Sequence, residues 1–371
     1  MSVTFHQPPR RILVRGVNWL GDAVMTTPAL LRLREKFPDA HIALLCADKI
    51  CPLFEPHPAV NETIPFTKGE SIFAIAKKLR AKKFDLALVL PNSPRSALEV
   101  FLAGIPQRIG HARPWRNFFL TQNVSPRSGE VKMRKLTRDE ILMVNDAPVR
   151  SAPAKPPAAA HHIFQYLHLT AALGASPEPI APQLAVTTEE LAAAKKKFGL
   201  DKISQPIFGL NPNAEYGPAK RWPLERFIPV AHEIQRRTNC AWIIFGGKND
   251  AAAAAQIDNA ISQPQSKTFN CAGETSLREL MALLKICRVV LTNDTGPMHV
   301  AAALGTPVIV PFGSTSPELT GPGLPGDTQH KLLKSNVPCA PCFLRECPID
   351  FLCMKSISEG TVIEAVIAAA R

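Results

Sequence analysis

The chain has 371 residues, of which 46% are hydrophobic and 20% are charged, as in a folded globular protein of about two domains. Its formal net charge of +12 favours an anionic partner, which could be a phosphorylated substrate, a nucleic acid or an acidic membrane surface. Because no apolar run reaches the ~18 residues of a membrane span and the first residues lack a signal-peptide core, we expect a cytoplasmic protein whose cysteines are mostly reduced.

Apolar runs alternate with amphipathic segments in the first part of the chain. The short apolar runs predict strands, and the segments with apolar residues at helical spacing predict helices. The predicted strands are residues 11–17, 41–46, 84–90 and 107–110, and the predicted helices are 23–37, 72–83 and 96–103. This alternation predicts a parallel, doubly wound sheet of the α/β class.

A basic stretch with weak periodicity follows. Residues 108–138 contain eight lysines or arginines and a single acidic residue, Glu130. Residues 151–160 are rich in proline and alanine, which predicts a flexible surface loop. A helix is predicted at 162–174, and the three prolines in 177–182 indicate the linker between two domains.

A second alternating set begins near Thr188. The predicted helices are 189–198, 225–238, 251–262, 277–286 and 359–370, and the predicted strands are 206–210, 241–245, 289–292 and 308–312. The chain is therefore predicted to contain two consecutive Rossmann-like halves.

The stretch 289–312 reads as strand, turn, helix and strand, with Gly305 placed to end the helix. The polar residues at the turn are Asn293, Asp294, Thr295, Gly296 and His299. Ligands of open α/β sheets bind where strands end, and a helix N-terminus attracts anions. The turn is therefore a candidate site for a phosphate-bearing ligand. The alternative is a turn capped by Asp294, followed by a core histidine.

Polar residues follow three other predicted strands. Asp22 could accept a proton from a hydroxyl nucleophile, or simply cap a helix. Lys220 offers a point charge to a diphosphate, or is a solvated basic residue. Asp250 follows Gly246-Gly247 and would accept a hydrogen bond from a ribose hydroxyl or cap the next helix. No Asp-x-Asp is present, so no cation-held diphosphate is indicated.

Four cysteines lie close together near the C-terminus. They are Cys339, Cys342, Cys347 and Cys353. In a cytoplasmic chain this spacing predicts a structural zinc or iron site with thiolate ligands. The alternatives are reduced thiols or redox-labile disulfides.

Taken together, the motifs resemble those of the bacterial lipopolysaccharide heptosyltransferases, glycosyltransferase family 9. The resemblance runs in family order from residue 12 to 320. The matching strings are I-L-V-R-G-V-N-W-L-G-D-A-V-M-T-T-P-A-L, V-L-P-N-S-P-R-S-A-L, A-G-I-P-Q-R-I-G, N-A-E-Y-G-P-A-K-R-W-P, N-C-A-G-E-T-S-L and T-N-D-T-G-P-M-H-V-A-A-A-L-G-T-P.

The resemblance implies a GT-B fold of two Rossmann-like domains with the active site in the cleft between them. Residues 1–180 would bind the acceptor, and residues 181–371 would bind the donor and carry the cysteines and the terminal helix. The implied reaction is an inverting transfer of L-glycero-D-manno-heptose from ADP-L-glycero-β-D-manno-heptose to the first heptose of the Kdo2-lipid A core. No catalytic cofactor and no nucleic acid are implied, and the enzyme would work at the inner face of the inner membrane.

The resemblance also implies roles for single residues. Asp22 would be the general base, and Lys220 would neutralise the departing diphosphate. The implied donor-binding residues are Asp294, Thr295, Gly296, His299, Thr275 and Asp250. An anionic acceptor gives the basic residues Arg95, Arg113 and Arg116 a hypothetical role in acceptor binding.

Two alternatives remain at this point. One is another member of the family, with a different acceptor or nucleotide-sugar. The other is a GT-B module without activity that binds nucleic acid or an anionic membrane through its positive charge. The second alternative predicts steeply salt-dependent binding and leaves Asp22, Lys220 and Asp294 without a role.

Overall fold

The computed structural model describes residues 7–146, 155–262 and 267–371. Its contacts divide the chain into two compact units, Met1–Glu130 with His162–Ala185, and Val131–His161 with Val186–Arg371. Residues 151–154 of the predicted surface loop lie outside the described residues, as do residues 1–6 at the amino terminus.

Regular elements fill most of the described chain. The strands are Arg11–Arg15 (β1), His41–Ala47 (β2), Glu62–Phe66 (β3), Leu86–Val89 (β4), Gln107–His111 (β5), Gln122–Val124 (β6), Ile207–Asn211 (β7), Ala241–Ile244 (β8), Thr268–Asn270 (β9), Val289–Thr292 (β10), Val308–Phe312 (β11) and Lys331–Lys334 (β12). The helices are Leu20–Met25 (α1), Thr27–Lys36 (α2), Ile72–Arg80 (α3), Pro94–Leu102 (α4), Arg138–Asp146 (α5), Ile163–Ala171 (α6), Thr188–Lys197 (α7), Leu224–Thr238 (α8), Ala251–Ile261 (α9), Leu277–Ile286 (α10), Gly296–Ala303 (α11), Pro317–Thr320 (α12), Leu352–Lys355 (α13) and Glu359–Ala369 (α14).

Each unit contains a parallel sheet of six strands. The strand orders are β3-β2-β1-β4-β5-β6 in the first unit and β12-β11-β10-β7-β8-β9 in the second. In both sheets the winding reverses beside the first strand of the unit, which creates a switch point between β1 and β4 and another between β7 and β10. The prediction of an α/β chain with two Rossmann-like halves is confirmed.

The four strands of the described chain that the sequence pattern did not predict all lie at sheet edges. The central strands β4, β8 and β10 are buried along their whole length, so they read as continuous apolar runs. The strands that were missed are β3, β6, β9 and β12, with the sequences E-T-I-P-F, Q-N-V, T-F-N and K-L-L-K. Partial exposure allows polar residues in these strands, which removes the apolar signal.

The observed division differs from the predicted boundary at residue 180 in two segments: residues 131–161 belong to the second unit, and residues 181–185 belong to the first. Leu136 and Ile141 of the segment 131–161 pack in the hydrophobic core of the second unit. The amide of Leu136 donates to the carbonyl of Cys342 at 3.0 Å. Ile141 is 1% exposed and belongs to the same hydrophobic core as Trp222.

One pair of cysteines departs from the expectation of reduced thiols. Cys46, at the end of β2, forms a disulfide with Cys51, and their Cα atoms are 5.6 Å apart. The expectation of reduced thiols is therefore wrong for Cys46 and Cys51. The two residues are close in sequence, but only the turn after β2 brings them within bonding distance.

A buried ion pair lies under the loop that follows β1. The guanidinium of Arg15 donates to Glu99 at 2.8 Å, and the two side chains are 4% and 0% exposed. Arg15 also donates to the carbonyl of Gly16 at 2.5 Å and to the side chain of Asn18 at 3.0 Å. Glu99 on α4 therefore holds Arg15, and Arg15 fixes the loop that leads to Asp22.

We predict that Glu99→Ala lowers the free energy of unfolding by about 3–5 kcal/mol, because it leaves the Arg15 guanidinium buried without its carboxylate. Urea unfolding followed by circular dichroism measures the loss. Glu35→Ala is the matched control, since Glu35 pairs with Arg32 at 2.7 Å but is 55% exposed, and its loss should stay below about 1 kcal/mol. Equal losses in the two variants would contradict the role given to burial.

Candidate functional site

A pocket lies at the switch point of the first unit. The residues that line it come from the segments after β1 and β4, from the end of β5 and from α6. They are Val17, Asn18, Trp19, Asp22, Leu90, Pro91, Asn92, His111, Gln165 and Tyr166. The carboxyl ends of neighbouring parallel strands therefore meet at this pocket, as expected for a ligand site in an open α/β sheet.

Asp22 lies in the first turn of α1 and is half-buried. The N-cap position belongs to Trp19, so Asp22 is not the N-cap residue. Burial, together with the nearby Asp22 carboxylate, raises the pKa of the Tyr166 phenol well above its ordinary value. The phenol therefore stays protonated beside the carboxylate.

Neutral polar groups surround this carboxylate. One ring nitrogen of His111, Nε2, lies 3.2 Å from the carbonyl of Gln165, and burial lowers the pKa of His111 to about 4. His111 is therefore uncharged at neutral pH. The pocket combines one carboxylate with neutral hydrogen-bonding groups, a composition that suits a ligand rich in hydroxyl groups.

The three predicted acceptor-binding arginines lie in different environments. Arg95 is 48% exposed in its side chain and contacts Glu99 at 3.2 Å. Arg113 pairs with Glu130 at 2.7 Å. Arg116 is fully buried and donates to the carbonyl of Pro91 at 2.6 Å. Burial lowers the pKa of Arg116 to about 10, so it remains charged and holds the wall of the pocket from behind.

In the second unit, Lys220 and Asp294 form an ion pair. Lys220 ends the short 3-10 turn Pro218–Lys220 after β7, and Asp294 follows β10. The ammonium lies 2.7 Å from Oδ2 of Asp294, and the two side chains are 14% and 3% exposed. The hydroxyl of Thr315, after β11, donates to the same carboxylate oxygen. Residues after three neighbouring strands thus meet at the second switch point.

Asparagine side chains join the loops around this ion pair. Asn293 accepts from the amide of Trp222 at 3.0 Å and donates to the carbonyl of Pro212 at 2.6 Å. Asn211, at the end of β7, donates to the hydroxyl of Thr292 at 3.0 Å. These bonds fix the Lys220 loop relative to the end of β10.

The turn after β10 leads directly into α11. Thr295 is the N-cap residue and its side chain makes no capping hydrogen bond. The alternative in which Asp294 caps this helix is wrong, because its carboxylate binds Lys220 and Thr315 instead. His299 is 6% exposed, and Gly305 follows the helix with a φ of 82°, as predicted for a C′ glycine.

The remaining predicted donor residues lie outside this cluster of contacts. Asp250 accepts from the amide of Gly247 at 2.8 Å, so it caps the turn after β8. Thr275 is half-buried and precedes Ser276, the N-cap residue of α10.

The cysteine cluster does not form the predicted metal site. The described residues contain no group of three or more His, Cys, Asp or Glu side chains that could hold a metal ion. Cys339, Cys342 and Cys353 are buried in the hydrophobic core of the second unit. Burial raises the pKa of their thiols, to about 12 for Cys353, so each of these thiols is protonated at neutral pH.

The segment that carries these cysteines supports the Lys220 loop. The hydroxyl of Tyr216 donates to the carbonyl of Phe343 at 2.8 Å, and the amide of Ala219 donates to the carbonyl of Arg345 at 3.0 Å. The Lys220 ammonium lies 4.9 Å from the centre of the Tyr216 ring. Gly217 has a φ of 153°, and a Cβ there would lie 2.5 Å from the Arg345 carbonyl oxygen, so only glycine fits.

Several residues of the two sites were missed in the sequence. Thr315 follows β11 in a run of serine and threonine, and the rule that strand ends form sites could have identified it. Tyr166 and Gln165 lie on α6, far along the chain from Asp22, and no local pattern indicates their position. Tyr216 resembles an ordinary loop residue until its contact with Lys220 is seen.

Comparison with known proteins gives a consistent result. A family model described as glycosyltransferase family 9 (heptosyltransferase) matches residues 72–138 and 130–352. The chain is 33% identical to lipopolysaccharide heptosyltransferase 2 of Salmonella typhimurium and to that of Escherichia coli K12, in each case over 84% of this chain and 85% of the relative. The solved structure of E. coli ADP-heptose LPS heptosyltransferase II matches with a TM-score of 0.76 and 28% identity, over 97% of this chain and 98% of that one.

Among the described residues, no helix combines the length and the apolar character that crossing a membrane requires.

We predict that acidification destabilises the first unit through His111. Its folded pKa of about 4 lies below its ordinary value of 6.5, so the unfolded chain binds the proton more tightly. The stabilisation is complete above pH 6.5 and is lost as the pH falls toward 4, with about 2 kcal/mol lost by pH 5. The free energy of unfolding, measured with urea, should fall between pH 7 and pH 5 in the parent chain. In His111→Gln this fall should be smaller by about 2 kcal/mol. An unchanged pH dependence in the variant would refute the prediction.

Proposed function

Because the chain belongs to glycosyltransferase family 9, the heptosyltransferases, we propose that it transfers L-glycero-D-manno-heptose from ADP-L-glycero-β-D-manno-heptose to the first heptose of the lipopolysaccharide inner core. The relatives named lipopolysaccharide heptosyltransferase 2 support this choice of reaction. The observation that carries the proposal is the Lys220–Asp294 pair at the N-terminus of α11, a ready site for a diphosphate.

In the proposed reaction Asp22 is the general base. Its carboxylate takes the proton of the acceptor hydroxyl while the hydroxyl oxygen attacks C1 of the donor heptose. The bond between C1 and the β-phosphate oxygen breaks, and ADP leaves with that oxygen. Attack from the face opposite the diphosphate inverts the configuration at C1. The neutral side chains of His111, Gln165 and Tyr166 would bind acceptor hydroxyl groups around Asp22.

Lys220 and the N-terminus of α11 would stabilise the departing diphosphate. An ammonium has three N–H donors, so Lys220 can keep its bond to Asp294 and still donate to phosphate oxygens. The amides of Thr295 and Gly296 would add donors at the positive end of the helix. On this proposal Asp294 positions Lys220, and the donor is contacted by Lys220 and by the N-terminus of α11.

The other predicted residues receive more limited roles. Arg95 and Arg113 keep the proposed role in binding an anionic acceptor. Arg116 would act through Pro91 and Asn92, which it contacts from behind the pocket. Thr275, Asp250 and His299 are proposed to lie near the donor nucleoside and sugar. We propose no catalytic cofactor, and we place the enzyme on the cytoplasmic side of the inner membrane.

An assay with paired donors and acceptors tests the proposal. Purified protein should transfer heptose from ADP-heptose, and should not use UDP- or GDP-sugars. It should extend Kdo2-lipid A that already carries one heptose. Extension of Kdo2-lipid A without heptose would instead identify a heptosyltransferase I, and use of another nucleotide-sugar would identify a different member of the family.

We predict that Asp22→Asn lowers kcat by about 10²–10⁴-fold, because it removes the proton acceptor and preserves the shape of the side chain. Isothermal titration with ADP should give an unchanged Kd, since the base does not bind the diphosphate. Asp39→Asn, at an exposed position of the same unit, is the control and should retain full activity. Retained kcat in folded Asp22→Asn protein would remove Asp22 as the base.

We predict strong coupling between Lys220 and Asp294. Lys220→Met should lower kcat by about 10²–10³-fold through the loss of leaving-group stabilisation. If Asp294 acts only by holding Lys220, then adding Asp294→Asn to Lys220→Met should lower kcat little further. The double-mutant cycle uses kcat and the Kd for ADP. If the fold-losses of the two single variants multiply in the double variant, Asp294 contacts the donor independently of Lys220.

A further inference from the structure

The first unit exposes three aromatic side chains at the end of α4 and in the connection between β5 and β6, here called the aromatic patch: Phe101, Trp115 and Phe118. Their exposed fractions are 37%, 89% and 83%. The ring of Phe118 lies 6.3 Å from that of Phe101 and 5.6 Å from that of Phe119, between centres. The patch therefore joins the end of α4 to the connection between β5 and β6.

Folding of the unit does not account for these exposed rings. Burying a phenylalanine side chain stabilises a folded protein, and Phe118 largely forgoes that stabilisation because it is 83% exposed. Trp115 has a φ of 64°, a left-handed conformation that is unfavourable for a bulky residue. The backbone thus holds a large aromatic side chain in solvent at a conformational cost.

Two arginines lie beside the Phe101 side of the aromatic patch. The guanidinium of Arg108 lies 5.3 Å from the centre of the Phe101 ring and donates to the carbonyl of Phe119 at 2.8 Å. Arg80 is exposed and donates to the carbonyl of Leu102 at 2.6 Å. The sequence has no acidic residue from 100 to 129. Arginines therefore lie beside these rings, and residues 100–129, which carry the rings, contribute no carboxylate.

We propose that the aromatic patch docks the protein on the surface of an anionic lipid bilayer. Tryptophan and phenylalanine insert at the boundary between headgroups and acyl chains, and flanking arginines are attracted to anionic headgroups. The choice of a bilayer rests on the proposed function, because its acceptor is anchored in a membrane. Trp115 precedes Arg116, which contacts Pro91 and Asn92 of the pocket wall, so docking brings the pocket close to the lipid surface.

Vesicle sedimentation with the full chain tests this docking. The protein should bind phosphatidylethanolamine vesicles that contain phosphatidylglycerol, and added salt should weaken the binding. The double variant Trp115→Ser, Phe118→Ser should bind about tenfold more weakly, because two inserting rings are lost. Phe73→Ser is the matched control, since Phe73 is 75% exposed on α3 of the same unit, and its binding should equal that of the parent chain.

Activity assays separate docking from catalysis. With an acceptor in vesicles, the double variant should lose kcat/KM by about the same factor as binding, whereas a lipid-free core oligosaccharide should be extended at the parent rate. Loss on the lipid-free acceptor would place the patch in the acceptor site and overturn the proposal. Unchanged vesicle binding in the double variant would also overturn it, as would a patch-dependent dimer in sedimentation velocity. A chain that binds vesicles through the patch and transfers no heptose would refute only the proposed function.

Discussion

In each parallel sheet the winding reverses beside the first strand, and this reversal determines where the candidate functional side chains lie. In each unit the crossovers leave the first strand in opposite directions, so the carboxyl ends of two central strands stay uncovered. Asp22 and Lys220 both follow the first strand of their unit, and both lie at such a switch point. The same constraint that builds the two sheets therefore produces one site with a carboxylate and another with a cation.

An ion pair supports the first site and another forms part of the second, and burial gives the two pairs different roles. Arg15 and Glu99 are almost completely buried, so their pair fixes the loop before Asp22 and is closed to ligands. Lys220 keeps some exposure while Asp294 is buried. The lysine can therefore reach a ligand without leaving its carboxylate. This arrangement gives the second unit a positioned cation that suits a diphosphate leaving group.

The cysteine-bearing segment shows how sequence spacing can mislead. Four cysteines within a short stretch predicted a metal site, and the structure instead buries three of them in an apolar core. The segment contributes to the site through its backbone, because the carbonyls of Phe343 and Arg345 hold Tyr216 and Ala219 beside Lys220. Every residue has a backbone carbonyl, so neither the residue types nor their spacing could indicate this role.

The sequence by itself determined the α/β class, the central strands and the strand-end positions of Asp22, Lys220 and Asp294, because local patterning and parallel topology specify these features. The edge strands, the Cys46–Cys51 disulfide and the packing of residues 131–161 with the second unit depended on tertiary contacts. Tertiary structure alone also decided that Asp294 pairs with Lys220 and that Arg116 is buried. Pairing and burial depend on neighbours distant in the chain, which no local pattern encodes.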